Sequence, residues 1–87
     1  MLEVNNDLFS AVLGAVNKVR GTDFDIEVID IDSFLGGDLG IDSREMLEVW
    51  YEIEKALDIK VHDYKKRDKY TVRDVVGACE EALAVTS

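Results

Sequence analysis

The chain has 87 residues and a formal net charge of −9, with 47% hydrophobic and 33% charged residues. This length predicts one small domain, residues 1–87, and the composition is that of a folded globular protein. Nineteen acidic residues stand against ten basic ones. Such a surface repels polyanions, which argues against nucleic acid and anionic membranes as partners. It suits partner proteins that carry basic docking patches.

The only cysteine, Cys79, cannot form a disulfide within the chain, which is typical of a reducing compartment. The first residues, MLEVNNDLF, lack the basic start and the apolar run of a signal peptide. No apolar run approaches the roughly 20 residues of a membrane span. We therefore expect a cytoplasmic protein without membrane contact.

The first predicted element is a helix over residues 6–20, NDLFSAVLGAVNKVR. Apolar side chains recur there at intervals of three and four, which places them on one face of a helix. Asn5 or Asn6 is the expected N-terminal cap, and Gly21 follows the last turn. The predicted core stripe consists of Leu8, Phe9, Val12, Leu13, Val16 and Val19.

Residues 21–42 form a long connection, which is uncommon in a compact domain and is often functional. The stretch IEVIDI alternates in polarity as a strand would, but it has no clear partner strand, so we predict an extended loop. Apolar side chains are expected to hold this loop to the core, namely Phe24, Ile26, Val28, Ile31, Phe34, Leu35, Leu39 and Ile41.

The second predicted helix, SREMLEVWYEIEKALD, has a doubly marked start. Asp42 can cap it, and Glu45 three residues later completes a capping box. Ile41 and Met46 occupy the positions of a hydrophobic staple. The predicted core stripe consists of Met46, Val49, Trp50, Ile53 and Leu57.

The C-terminal part is predicted to contain a short helical turn near residues 63–68 and a last helix that starts at Thr71. Asp74 would form a looser capping box with Thr71. Because the chain has no proline, caps and glycines must set the helix ends. The last buried stripe consists of Val72, Val75, Val76, Cys79 and Leu83, which makes Cys79 a packed thiol. Together these elements predict an all-α fold, a small four-helix bundle with a long loop between helices 1 and 2.

Ser43 is the residue that points to a function. If Asp42 is the cap, Ser43 is the first residue of the helix, beside backbone N–H groups that have no partner within the helix. These groups and the helix dipole favour an anion, so a phosphate ester on Ser43 would be stabilised. The alternative is a serine that only helps to start the helix.

The stretch DLGIDSREMLEVWYEIEKALDIKV resembles the central motif of acyl carrier proteins, which have a D-L-G-x-D-S pattern followed by a helix. YTVRDVV is similar to the T-V-x-D-[LV] start of that family's last helix. The resemblance implies a non-enzymatic carrier whose Ser43 bears 4'-phosphopantetheine, transferred from coenzyme A by a phosphopantetheinyl transferase. It also implies that the arm holds acyl groups as thioesters and that Asp42 belongs to the attachment site.

The second helix is the expected docking surface. Arg44, Leu47, Glu48 and Tyr51 fall on a strip away from the core stripe, and exposed apolar groups beside acids are typical of contact sites. In the family, partner enzymes recognise this acidic helix through basic patches. The resulting docking set is Arg44, Glu45, Leu47, Glu48, Tyr51 and Glu52. The expected partners are the transferase and acyl-loading and acyl-processing enzymes, and the carrier is expected to be a monomer.

Departures from the family pattern favour a specialised pathway such as polyketide assembly. Arg44 follows the serine where most carriers have Leu, and His62 stands where many have Pro. The segment YKKRDK is basic, whereas fatty-acid carriers are usually acidic there. This segment is interpreted as a solvated face, with a secondary contact or salt bridges to the acidic remainder as alternatives.

Other functions stay open. A helical interaction domain without any modification would use the same acidic face. A carrier of amino acids is also open, because FLGGDL looks like the peptidyl-carrier signature. In that register the modified position would be Leu39, which has no hydroxyl, so Ser43 is the usable residue.

No metal site is predicted. A calcium loop of the EF-hand type starting at Asp30 needs an oxygen ligand at its fifth position, Gly at its sixth and Glu at its twelfth. The sequence has Phe34, Leu35 and Ile41 there. His62 is the single histidine, so a zinc cluster or a histidine-based triad lacks its partners.

Overall fold

The computed structural model describes residues 6–86, so the Asn5 cap and the first residues tested for a signal peptide lie outside it. Its elements are helix α1 (Asn6–Arg20), helix α2 (Ser43–Leu57), a 3₁₀ turn (Asp63–Lys65) and helix α3 (Val72–Thr86). The all-α class is confirmed. The count of four helices is not, because the third predicted piece is a single 3₁₀ turn that stops well before residue 68.

Helix α1 contacts both α2 and α3 and forms the centre of the packing. The predicted stripes face this core, and several members are completely buried, including Val12, Ile53 and Cys79. Half-buried side chains pack against the edge of this core, namely Val19, Met46, Leu57 and Leu83. The apolar face of α2 is therefore fixed, and its opposite face is left to solvent.

The start of α2 is set by the predicted capping box. The backbone N–H of Glu45 donates to the Asp42 carboxylate at 2.7 Å, and the N–H of Asp42 donates to the Glu45 carboxylate at 3.1 Å. Ile41 is buried and Met46 is half-buried, as a hydrophobic staple requires. The helix ends at Asp58, which adopts the left-handed conformation with φ of 54°.

The long connection is ordered by backbone bonds to the segment before α3. Leu35 N–H donates to Tyr70 O at 2.8 Å, Val72 N–H to Ser33 O at 3.1 Å and Arg73 N–H to Ile31 O at 2.8 Å. Phe34 and Thr71 form an isolated antiparallel bridge. The segment is a loop without a strand, as predicted, but residues 26–29 of IEVIDI form a turn and not an extended stretch.

Apolar anchoring of the loop was predicted correctly except at two positions. Leu35, Leu39 and Ile41 are buried, while Phe24, Ile26 and Ile31 are half-buried against the core. Val28 and Phe34 are 80% and 57% exposed, so their predicted anchoring was wrong. Val28 lies in a turn in which its N–H donates to Asp25 O, and Phe34 lies where the loop meets Thr71 at the surface.

The start of α3 carries the looser capping box. Asp74 N–H donates to Thr71 Oγ1 at 3.2 Å, and the Asp74 carboxylate accepts from the N–H groups of Tyr70 and Thr71 at 3.0 and 3.1 Å. These backbone N–H groups, that of Tyr70 first, lower the pKa of Asp74. These hydrogen bonds join the end of the preceding segment, Tyr70 and Thr71, to the first turn of α3.

Candidate functional site

Ser43 lies exposed at the first position of α2, directly after its cap. The N–H groups of Glu45 and Met46 donate to the side chain and the carbonyl of Asp42. The first turn of a helix leaves further N–H groups without intrahelical acceptors, and the dipole adds positive potential. A phosphate bonded to the Ser43 hydroxyl would therefore meet a field of the right sign.

A second contact secures the capping box from outside the helix. Arg20, at the end of α1, donates from Nη1 to both carboxylate oxygens of Glu45, at 2.7 and 2.8 Å. The same Glu45 oxygen Oε1 accepts from Asp42 N–H. The start of α2, and with it Ser43, is thus held to α1 by charge-assisted hydrogen bonds.

The predicted docking residues differ in their exposure and in their ion pairs. Leu47 and Tyr51 are 70% and 62% exposed, although both are large and apolar. Arg44 and Glu48 are also exposed. These side chains form a continuous exposed strip on α2, and apolar groups that stay in water in this way are typical of contact surfaces.

The other predicted docking residues are engaged within the chain. Glu45 is bound by Arg20, as described above. Glu52 forms ion pairs with Lys18 at 3.0 Å and Lys55 at 3.4 Å, and the hydrogen bond from Lys18 is the main cause of its lowered pKa. Within the predicted docking set, the acidic residue left without an ion pair to residues 6–86 is Glu48.

A groove of about 710 Å³ opens beside Ser43. It lies between α2, the long loop and the segment that leads to α3. Its walls include apolar residues from each part, such as Phe34, Met46 and Trp50. No local sequence pattern indicates this groove, because residues far apart along the chain form it.

Part of the basic segment YKKRDK also lines the groove, although the sequence predicts mainly a solvated face there. Lys66, Arg67 and Lys69 line it. Lys66 pairs with Glu54 at 3.1 Å and lies 3.8 Å from Asp63. Neither Arg67 nor Lys69 forms an ion pair with any residue in the range 6–86. The interpretation as a salt-bridge source is confirmed for Lys66, and also for Lys65, which pairs with Glu81 at 3.2 Å.

Trp50 forms part of the groove wall and carries an unused donor. Its side chain is 2% exposed, and its indole Nε1–H finds no acceptor among the described residues. The Lys66 ammonium lies 5.9 Å from the centre of the indole ring. A buried indole N–H usually has a partner, so this donor is unused inside the core.

Other reactive side chains do not form a site. Cys79 is buried, and desolvation raises its pKa to about 11, which keeps it a protonated thiol. His62 stacks on Tyr64 with ring centres 5.5 Å apart. Between residues 6 and 86 no group of His, Cys, Asp and Glu could hold a metal ion. Over the same range no helix is both long and apolar enough to cross a bilayer.

The structure places Ser43 and Asp42 at the start of α2 and leaves the strip of α2 exposed, as predicted, whereas the contact of Arg20 with Glu45 was not predicted. In the sequence Arg20 is marked only as a basic residue in the last turn of a predicted helix. Its contact with Glu45 spans 25 positions along the chain, so no local pattern could reveal it. The indirect signal is Gly40, whose φ of +72° turns the loop and whose missing Cβ would lie 3.2 Å from Arg20 Nη2.

Comparison with known proteins tests the family resemblance. No family model matches the chain. An acyl carrier protein of Rickettsia bellii is 39% identical over 56 residues, which span 65% of that protein, just under two thirds of its length. An acyl carrier protein of Treponema denticola is 36% identical over 69 residues, covering 79% of this chain and 86% of that protein.

A solved structure supports the same grouping at the level of the fold. A protein from Mycobacterium tuberculosis, provisionally assigned as an acyl carrier protein, superimposes with a TM-score of 0.70 at 25% identity. The superposition covers 92% of this chain and 99% of that one. The sequence match over most of a relative's length and the shared fold agree, and the chain belongs to the acyl carrier protein family.

Proposed function

We propose that the chain carries acyl groups as thioesters on a 4'-phosphopantetheine arm bonded to Ser43. Members of the family are carriers and not catalysts, so the chain itself is not an enzyme. The observation that carries the proposal is the exposed Ser43 hydroxyl on the first turn of a doubly secured helix. Asp42 caps that helix and Arg20 ties its box to α1, so the attachment point is rigid while the arm is free to move.

The residues present fit such an arm. Its phosphate would lie at the N-terminal end of α2, where the helix dipole favours an anion. The groove beside Ser43 offers an apolar surface to the rest of the arm. The terminal thiol of the arm supplies the chemistry, because it holds the acyl chain as a thioester.

Attachment requires a separate transferase with coenzyme A as donor. Ser43 Oγ attacks the pantetheine-bound phosphorus of the coenzyme A pyrophosphate. The bond from that phosphorus to the bridging oxygen breaks, adenosine 3',5'-bisphosphate leaves, and the serine proton passes to a base of the transferase. The product is a phosphodiester, so the mature chain is a phosphoprotein.

Partner enzymes are proposed to dock on the exposed strip of α2. Leu47 and Tyr51 supply apolar contacts, Glu48 supplies a free carboxylate, and Arg44 adds a cation next to the modified serine. Glu45 and Glu52 contribute to the negative potential of the helix through partly compensated charges. The partners, namely the transferase and acyl-loading and acyl-processing enzymes, would carry mainly basic patches and meet a monomeric cytoplasmic carrier.

We further propose a specialised pathway, such as polyketide assembly, rather than bulk fatty-acid synthesis. Arg44 in place of the usual leucine and the basic segment at residues 65–69 support this, because both change the charge that a partner meets near Ser43. A fatty-acid ketosynthase is expected to accept the acyl-loaded chain poorly. Arg44→Leu should improve acceptance, whereas unchanged and efficient acceptance of the wild type would contradict a specialised role.

The carrier proposal is tested by intact mass after incubation with coenzyme A and a broad-specificity phosphopantetheinyl transferase. The wild type should gain one phosphopantetheine and Ser43→Ala should gain none. Ser33→Ala is the matched control, because it removes a hydroxyl from the long loop and leaves Ser43 in place. If a folded wild type gains no mass from an active transferase, the chain is instead an unmodified interaction domain.

A further inference from the structure

The groove beside Ser43 extends along helix α2. Trp50 and Glu54 lie seven and eleven residues after Ser43, which corresponds to about 10 and 16 Å along a helix. The Lys66 ammonium contacts both, at 5.9 Å from the indole centre and 3.1 Å from the Glu54 carboxylate. The groove therefore runs along α2, away from the attachment point and toward Lys66 and its neighbour Arg67.

Lys69 lies at the opposite end of the groove, the end near Ser43. Its neighbour Tyr70 accepts a hydrogen bond from Leu35 N–H at 2.8 Å, and Leu35 O accepts from Ile41 N–H at 3.0 Å. Ile41 stands two residues before Ser43. This short chain of backbone bonds links Lys69 to the start of α2, where it can face a phosphodiester on Ser43 as well as Asp74, whose pKa it helps to lower.

Arg67 is left without a counter-charge. It lines the groove, it is exposed, and it forms no ion pair with residues 6–86. Its neighbour Lys66 is already paired with Glu54 and lies near Asp63. The protein is acidic overall, with a net charge of −9, yet this guanidinium at the edge of an apolar groove has no ion pair within residues 6–86.

We propose that Arg67 binds a carboxylate at the free end of the carried acyl group, which makes the groove a site for acyl groups that end in a carboxylate. This inference rests on the proposed attachment of the arm to Ser43. A planar guanidinium matches a carboxylate with two parallel hydrogen bonds. The apolar walls suit the methylene chain between thioester and carboxylate.

The size of the groove agrees with this occupant. Pockets that bury small ligands usually measure about 300–1,000 Å³, and this one has a volume of about 710 Å³. That space admits a short acyl chain if the whole arm folds back along the groove, since the acyl group is bonded to the far end of the arm. The phosphate alone would use only the end near Ser43 and would leave Arg67 without a partner.

The test compares two acyl groups of nearly equal shape. Glutaryl ends in a carboxylate, and 5-oxohexanoyl ends in a neutral methyl ketone. Each is loaded from its coenzyme A derivative with the transferase, and intact mass confirms loading. The readout is the set of NMR shifts of the Trp50 indole N–H and the backbone amides of residues 66–70, measured against the arm with a free thiol. That reference separates the effect of the phosphodiester from the effect of the acyl group.

We expect the glutaryl form to occupy the groove roughly two- to fivefold more than the ketone form, the range for a partly exposed charge pair. Arg67→Gln should remove the difference. Lys60→Gln, which neutralises an exposed lysine outside the groove, should preserve it. Lys69→Gln should change the shifts caused by the arm alone and leave the difference between the acyl groups.

Three results would overturn the inference. Equal shifts from both acyl groups would show a groove without charge selection. No shifts beyond those of the free-thiol arm would place the acyl group outside the groove. An equal loss of the difference in Arg67→Gln and Lys60→Gln would show a general effect of net charge. Failure to gain mass at Ser43 is a separate outcome, because it refutes the carrier proposal before any acyl group is compared.

Discussion

The bond from Arg20 to Glu45 should be the main support for the start of α2 from outside that helix. Both carboxylate oxygens are engaged, at 2.7 and 2.8 Å, and the side chains of Arg20 and Glu45 are only 29% and 26% exposed. An exposed ion pair contributes up to about 1 kcal/mol, while removing one partner of a buried pair costs about 3–5 kcal/mol. This intermediate burial gives an expected loss of about 2 kcal/mol for Arg20→Met, which keeps most of the apolar stem.

The loss should be visible as thermal unfolding followed by circular dichroism. In a domain of this size 1 kcal/mol shifts the melting temperature by roughly 4–8 °C, so Arg20→Met should melt roughly 10 °C below the wild type. Arg44→Met is the matched control, because it makes the same change on an exposed residue without an ion pair to residues 6–86. Its melting temperature should stay close to that of the wild type.

A double-mutant cycle separates the bond from other effects of the substitution. Glu45→Gln keeps an oxygen for the capping box and removes the charge that Arg20 binds. If the bond is real, the loss in the double variant should be clearly smaller than the sum of the two single losses. Fully additive losses, or equal melting temperatures for Arg20→Met and Arg44→Met, would refute the role assigned to Arg20.

Further predictions concern a glycine, a carboxylate and the cysteine. Gly40→Ala should destabilise the protein by about 1–2 kcal/mol because of its positive φ, whereas Gly37→Ala, whose added Cβ meets only ordinary contacts, should change the urea midpoint little. The folded pKa of Asp74 is lowered, so its stabilisation is complete above its unfolded pKa and is lost as pH falls through the folded one. Asp74→Asn should therefore lower stability at neutral pH and flatten the fall in stability below roughly pH 4; an unchanged acid profile would argue against the cap. Cys79 in the apo protein should react with iodoacetamide at pH 8 only after denaturation, since burial raises its pKa to about 11, and rapid labelling of the native state would show that the core opens.

The helices could be predicted because their signals are local. The limits of α1 and the capping box of Asp42 and Glu45 follow from residues within a few positions of each other, where spacing and cap chemistry act directly. The third helical piece was overestimated, since Asp68 adopts a positive φ of 57° and a right-handed helix cannot continue through such a residue.

The site was predictable only in part for the same reason. Ser43 and the exposed strip of α2 lie on one short segment, so the cap at Asp42 and helical periodicity were enough to predict their positions and exposure. The groove depends on the loop meeting Tyr70 and on Lys66 reaching back to Glu54, contacts that no window of neighbouring residues encodes. The exposure of Phe34 was missed because an apolar residue in a loop is expected to anchor it, and here it borders the groove instead.

Trp50 is the single tryptophan of the chain, and it forms part of the wall of the groove under the Lys66 ammonium. The protein thus contains its own optical probe at the place where an acyl group would be held. Emission from that indole should respond when a chain enters or leaves the groove, without any added label. Stopped-flow fluorescence could then follow how quickly a carried group leaves the groove when a partner enzyme is added.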